Sequence, residues 1–215
     1  MSERKEELKL RKTDEGLELE GIRLDFELQL RKLKMQPLSK QPLLKALGSL
    51  KDSPFVLDAT AGLAKDAFLM ALKGHHVTAL EQNKSLFLLV QDAIARSNGK
   101  VEALKFLEHL NENSFEFLQK LKEKKFDAIY LDPMYPQRES SALPKKEMQV
   151  LRELLHVDEK TFEQTDEDTT QLLTLALEKS KKRVVLKRPL WAPKLSKPRH
   201  SQEGKLSRFD VYIVS

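Results

Sequence analysis

The sequence predicts a doubly wound α/β fold, a mostly parallel sheet covered by helices on both faces, and three observations point to it. From Phe55 onward, short apolar runs alternate with amphipathic stretches long enough for helices, the pattern of repeated strand–helix units. Several runs are apolar at consecutive positions, as in Val184-Val185-Leu186, which suits strands buried on both sides. Polar residues then stand directly after the runs, as in Leu57-Asp58, Leu80-Glu81 and Leu131-Asp132. That is where an open sheet of this kind places its ligands.

Taken in order, Leu8 and Leu10, Leu17 and Leu19, then Ile22, Leu24 and Phe26 alternate with polar residues around the turn signal Thr13-Asp14-Glu15-Gly16. This period-2 pattern predicts a small antiparallel meander, so residues 1–36 are expected to be a β appendage and 37–215 the main domain. Leu38, Leu43, Leu44 and Leu47 follow at helical spacing, with Pro37 and Pro42 confining the helix to the later part. Strands are predicted at 55–58, 76–80, 103–107, 126–131, 182–187 and 208–214, and helices near 64–73, 84–97, 112–122, 143–155 and 167–179. Right-handed crossovers make the doubly wound arrangement the economical topology. The segment 190–207, with Pro193, Pro198 and Gly204, is predicted to be a loop.

A chain of 215 residues with 40% hydrophobic content can bury one sizeable core and is short for two. The absence of Cys excludes a disulfide framework, a thiolate zinc site and a cysteine nucleophile. His75, His76, His109, His156 and His200 have no mutual spacing that makes a metal site, and no metal is expected. The charged run MSERKEELKLRK lacks the apolar segment of an export signal, and no stretch has the roughly 18 apolar residues of a membrane span. A cytoplasmic protein without a membrane partner is expected.

Lys and Arg outnumber Asp and Glu by 38 to 33, and their placement says more than the total. Lys187, Arg188, Lys194, Lys197, Arg199, Lys205 and Arg208 are opposed over that span by Glu203 alone. Arg31, Lys32, Lys34, Lys40 and Lys45 form a second basic group, while Asp158, Glu159, Glu163, Asp166, Glu167 and Asp168 gather acid elsewhere. Such polarity suits a nucleic acid backbone, and also an ordinary solvated surface.

The first strong strand runs into Asp58-Ala59-Thr60-Ala61-Gly62-Leu63-Ala64-Lys65-Asp66. Its small residues let the backbone pass close to a ligand at a helix N-terminus. No G-x-G-x-x-G or G-K-[ST] is present, so neither a dinucleotide site nor a P-loop is indicated, and a tight turn without a ligand stays open. Glu81 directly follows the second strand, where a carboxylate can accept hydrogen bonds from both hydroxyls of a ribose. The other reading of that segment is a lead into the helix that Asn83 caps.

The sharpest feature is Ile129-Tyr130-Leu131-Asp132-Pro133-Met134-Tyr135-Pro136. It brings together a carboxylate, a backbone carbonyl fixed by proline and a flat ring, a set that suits an amino group on a planar base. Such an amine is a weak nucleophile because its lone pair is delocalised; acceptors for its hydrogens and alignment with a methyl donor offset that. Lys187 and Arg188 end the fifth strand and would sit beside Asp132 if the two strands are neighbours, one pairing with a carboxylate and the other contacting phosphate. Trp191, the only tryptophan, packs under its loop or stacks on a base, and the sequence does not choose.

In this order DATAGLAKDAF, LEQN, YLDPMYP followed by SALPKKEM, VVLKRP and the final RFDVYIV resemble the ribosomal RNA small subunit methyltransferase J family, over about residues 8–215. The resemblance implies the class I methyltransferase fold and S-adenosylmethionine as donor, with S-adenosylhomocysteine as product. It also implies transfer to N2 of a guanine in 16S ribosomal RNA, free or in the small subunit, by a monomer or weak homodimer. The family's donor positions fall on Lys65, Asp66, Glu81, Gln82, Asn113, Ser114 and Asp132, to which the residue reading adds Asp58 and Gly62. Asp132, Pro133 and Tyr135 are expected at the target amine. Lys145, Lys146, Lys187, Arg188, Lys194, Lys197, Arg199 and Lys205 are expected on RNA phosphates. Ala64 stands where the family usually has Gly, and Tyr135 where Phe is commoner. A DNA-adenine or protein amine methyltransferase shares Asp-Pro-x-aromatic, and Ala64 favours an RNA-binding module without activity; both alternatives stay open on the sequence.

Overall fold

The structure is a computed structural model and describes residues 10–50, 53–136, 146–157 and 161–214. In chain order it contains β1 (Leu10–Thr13), β2 (Gly16–Leu19), α1 (Phe26–Lys34), α2 (Pro42–Leu47), β3 (Phe55–Asp58), α3 (Lys65–Leu72), β4 (His76–Leu80) and α4 (Lys84–Arg96). There follow β5 (Leu107–Leu110), α5 (Ser114–Lys120), β6 (Ala128–Leu131), α6 (Lys146–Leu154), α7 (Phe162–Lys179), β7 (Arg183–Pro189), β8 (His200–Glu203) and β9 (Ser207–Ile213). Among the described residues the main sheet has seven strands in the order β5-β4-β3-β6-β7-β9-β8. The pairs among β3 to β7 are parallel, and β9 lies antiparallel between β7 and β8.

Both faces of the sheet are buried, which is why its strands read as continuous apolar runs. Successive residues alternate between two core clusters: Val56, Ala128, Tyr130 and Val185 face one, while Leu57, Ile129, Leu131, Val184 and Leu186 face the other. Phe68 and Met70 of α3 and Leu86, Leu89 and Ala93 of α4 cover the first face. Leu118 of α5 and Leu173 and Ala176 of α7 cover the second. The strand order reverses between β3 and β6, so the carboxyl ends of β3, β4 and β6 open onto one edge, the place where such sheets bind ligands.

Four expectations need correction. The predicted meander is only a hairpin, β1 and β2, because its expected third strand enters α1 instead. Asp25 caps that helix by accepting from Leu28 N at 2.8 Å, and Phe26 turns inward against Phe68, ring centroids 4.8 Å apart. The hairpin and the segment after it share the main core through Leu19, Ile22 and Leu24, and Leu17 N donates to Asp92 of α4 at 3.0 Å. Second, the strand predicted at 103–107 is a 3₁₀ turn over Glu102–Phe106, and β5 begins at Leu107, where buried Leu107 and His109 flank exposed Glu108. Third, α7 starts five residues before its predicted start, on a capping box in which Thr161 and Gln164 satisfy each other's backbone N–H. Fourth, the segment predicted as a loop contains β8, paired on β9.

Beside β8 the chain is held by one buried side chain. Arg208 donates to the carbonyls of Pro189, Leu190, Ala192 and Pro193 at 2.7–3.2 Å and to Asp210 at 3.0 Å. Replacing it leaves Asp210 buried without its counter-charge and four carbonyls short of a donor. Arg208→Met is therefore expected to lower stability by about 3 kcal/mol in urea unfolding, and a midpoint equal to the wild type would remove that role.

Candidate active site

The chain leaves β3 at Asp58 and bends through Ala59-Thr60-Ala61-Gly62 before α3. Ala59 N donates to Tyr130 O at 3.0 Å and Ala61 N to Leu80 O at 2.9 Å, which ties the bend to both neighbouring strands. Gly62 has φ +53°, and a Cβ built there would meet nothing within 4 Å, so the bend presents bare backbone to open space. That space is a cleft of about 500 Å³, within the usual range for small-molecule sites. Thr60, Gly62, Glu81, Gln82, Asn113, Ser114, Asp132, Pro133 and Met134 line it from the sheet edge. Leu155, Val157 and the α7 residues Thr165, Asp168 and Thr169 close the opposite side.

Glu81 directly follows β4 and has only 6% of its surface exposed. Its Oε1 accepts from Asn83 N at 2.6 Å. Burial pushes its carboxyl up to about 7, against the lowering effect of the backbone donors at Asn83, Gly62 and Gln82. Gln82 and Asn113 are joined, Asn113 Nδ2 donating to Gln82 Oε1 at 2.7 Å, while Asn113 Oδ1 caps α5. The Ser114 hydroxyl donates to Ala59 O, closing this side of the cleft onto the bend.

At the other end lies a cluster of three acids, one lysine and one phenol. Lys187 Nζ sits 2.7 Å from Asp132 Oδ2 and 3.2 Å from Asp66 Oδ2. Tyr130 donates its hydroxyl to Asp66 at 2.6 Å, and Asp132 N donates to Thr60 Oγ1 at 2.6 Å. Burial pushes Asp132 up to about 6, with Lys187 pulling it down and Asp66 raising it. Burial opposes the charge on Lys187, but Asp132 and Asp66 outweigh it and hold the ammonium above its ordinary value. Asp58 is fully enclosed; burial, then Asp66, raises it well above the carboxylate range, and its Oδ2 has no hydrogen-bond partner.

The sequence-predicted residues separate cleanly. Gly62, Glu81, Gln82, Asn113, Ser114, Asp132 and Pro133 meet at the cleft. Asp58 and Asp66 stand behind its wall, and Lys65 points to Glu147 of α6 at 2.5 Å. Tyr135 is not a ring presented to the cleft: it is 7% exposed, with the Arg188 guanidinium 5.1 Å from its ring centroid and donating to its hydroxyl at 3.0 Å. Arg188 is not a phosphate ligand, because it is 0% exposed and held by Asp166 through two bonds of 2.8 and 3.0 Å. Lys187 is likewise committed to carboxylates. Lys146, Lys194, Lys197, Arg199 and Lys205 are exposed, and Lys145 lies outside the described residues. Ala64 is fully buried in the core with φ 54° and ψ 25°. Its left-handed backbone explains a preference for glycine, and its methyl does not line the cleft. Sequence reasoning missed Thr60, Met134 and the α7 wall; the Thr161-x-x-Gln164 capping signature was the available signal for the last.

Residues 1–214 match the family described as "Putative SAM-dependent methyltransferase". The ribosomal RNA small subunit methyltransferase J of Thioalkalivibrio sulfidiphilus is 42% identical over 185 residues, covering 82% of this chain and 69% of that protein. The chain belongs to the ribosomal RNA small subunit methyltransferase J family. The J protein of Coxiella burnetii (strain Dugway 5J108-111) is 45% identical over 81% of the chain and 66% of its own length, so the chain spans about two thirds of such relatives. A SAM-dependent methyltransferase from Neisseria gonorrhoeae superposes with a TM-score of 0.65 at 29% identity, over 92% of this chain and 78% of that one. The fold is accordingly that of class I SAM-dependent methyltransferases. Among the described residues no helix is long and apolar enough to cross a membrane.

In this J family member the charge of Asp132 depends on Lys187. Removing the ammonium takes away the chief lowering influence on a buried acid, so the midpoint must rise. Lys187→Met is expected to move the Asp132 carboxyl titration upward by about one unit or more, read by ¹³C carboxyl shifts assigned with Asp132→Asn. An unmoved midpoint would dissolve the coupling.

Proposed function

We propose that the protein transfers a methyl group from S-adenosylmethionine to the exocyclic N2 of a guanine in 16S ribosomal RNA, free or in the small subunit, in the cytoplasm. The carrying observation is that Glu81 and Asp132 face a single cleft of about 500 Å³, between the bare backbone of Gly62 and the α7 wall. The cleft's donors and acceptors suit S-adenosylmethionine. Glu81 is an acceptor for ribose hydroxyls, Gln82 and Asn113 offer amide groups beside it, and Gly62 leaves room where a side chain would intrude. When bound, the cofactor supplies an electrophilic methyl group carried on a sulfonium sulfur.

The chain's own residues prepare the amine. Asp132 accepts a hydrogen bond from the amino group, which counters the delocalisation of its lone pair, and takes up the proton the nitrogen sheds once it is alkylated. Pro133, at the same lip, offers a backbone carbonyl to the second hydrogen. Lys187 keeps Asp132 from remaining protonated at neutral pH. The exposed Lys146, Lys194, Lys197, Arg199 and Lys205 supply phosphate contacts that carry no sequence information.

Two substitutions separate these roles. Glu81→Ala is expected to weaken donor binding by tenfold or more, about the loss of hydrogen bonds to a charged acceptor, as read by calorimetry. Asp132→Asn is expected to lower kcat by about 10²- to 10³-fold while donor affinity stays within about threefold. The substrate is tested by incubating the protein and donor with small ribosomal subunits, naked 16S rRNA or duplex DNA, then analysing nucleosides by mass spectrometry. N2-methylguanosine from the rRNA substrates alone is the expected result; methylated adenine in the DNA, or no methyl transfer at all, would refute the assignment.

A further inference from the structure

We propose that Trp191, braced by Phe162, is a stacking platform for an unpaired RNA base next to the nucleotide that enters the cleft; this rests on the RNA-methylating reading above. Tyr135 does not offer its ring there, because it is turned inward onto Arg188. The rings run outward from it instead. Tyr135 and Phe162 have centroids 5.8 Å apart, and Phe162 and Trp191 5.1 Å apart. Among the described residues these rings lead to Trp191, which is 46% exposed. Phe162 opens α7 one turn before Thr165 of the cleft wall, and Trp191 follows β7, the neighbour of the strand that carries Asp132 at its end. Exposed indole and catalytic carboxylate thus stand at the same sheet edge.

A large ring on a loose loop loses contact energy when binding orders it. This loop is already fixed, by the Arg208 bonds to the carbonyls of Pro189, Leu190, Ala192 and Pro193. Ala192, next to the indole, is buried and donates its N–H to Pro189 O at 3.1 Å. Lys194, Lys197 and Arg199 follow directly and are exposed. A rigid flat ring beside a row of cations matches an unpaired strand, whose bases are free to stack while its phosphates meet the lysines. A duplex keeps its base faces covered and offers no such partner.

Trp191 is the only tryptophan in the chain, so its emission reports this site alone. The full chain is titrated with a mixed-sequence RNA strand of about ten nucleotides, within the usual site size, with a blunt duplex of the same RNA, and with heparin, a polyanion without bases. Saturable quenching by the single strand, with little from the duplex or heparin, is expected. Equal quenching by heparin, or binding of a dye-labelled strand without quenching, overturns the platform. In methyl transfer to small subunits, Trp191→Leu is expected to raise KM about tenfold with kcat within about twofold, and Trp191→Phe to recover most of the loss. An unchanged KM in Trp191→Leu also overturns it. If the wild type quenches on RNA yet transfers no methyl group, the methyltransferase reading fails while the platform stands; transfer without quenching sinks the platform alone.

Discussion

The site depends on one ammonium group placed between two carboxylates at the end of the sheet. Lys187 bonds Asp132 and Asp66 at 2.7 and 3.2 Å, and Tyr130 anchors Asp66 from inside the core at 2.6 Å. Three acids this close cannot all ionise in a poorly solvated place. The fold eases the conflict by burying Asp58, which disfavours its charged form, by holding Asp66 with a phenol and a lysine, and by leaving Asp132 as the member that opens on the cleft. Its members come from four elements: Asp58 from β3, Asp66 from α3, Tyr130 and the adjoining Asp132 from β6 and its end, and Lys187 from β7. The parallel register Leu131 with Leu186 is what sets Asp132 beside Lys187.

The second acid works on the opposite principle. Glu81 has no basic partner in its hydrogen bonding and is held by backbone N–H groups, so burial alone carries its carboxyl to about 7. The cleft thus has an uncompensated acceptor at one end and a lysine-tuned one at the other. A donor's ribose and a target amine ask for those two different environments.

Much of this was legible in the sequence, for physical reasons. Strands buried on both faces are mostly apolar, so 55–58 and 76–80 were read to the residue, and the acids at their ends, Asp58 and Glu81, marked the ligand edge. Glu81 and Asp132 were singled out that way and the family resemblance added Gln82, Asn113 and Ser114; all five line the cleft. What failed depended on contacts distant in sequence. Arg188 looked like a phosphate ligand because nothing nearby in the chain shows that Asp166 will neutralise it. Tyr135 looked like a base-stacking ring because its direction is set by Arg188 and Phe162. Phe26 fitted an alternating pattern, yet a local cap at Asp25 outweighed it and began a helix.

If Asp132 receives the proton of the amine, catalysis must follow its ionisation. Its raised midpoint near 6 means that the active, charged form grows as pH rises through that value and is lost below it. The direct measurement is kcat/KM for ribosomal RNA from pH 5 to 8 at saturating donor, a condition that removes the separate titration of Glu81 from the profile. A limb that climbs about tenfold per unit below 6 and levels above it is the predicted result. A profile flat across the whole range would contradict a proton-accepting Asp132.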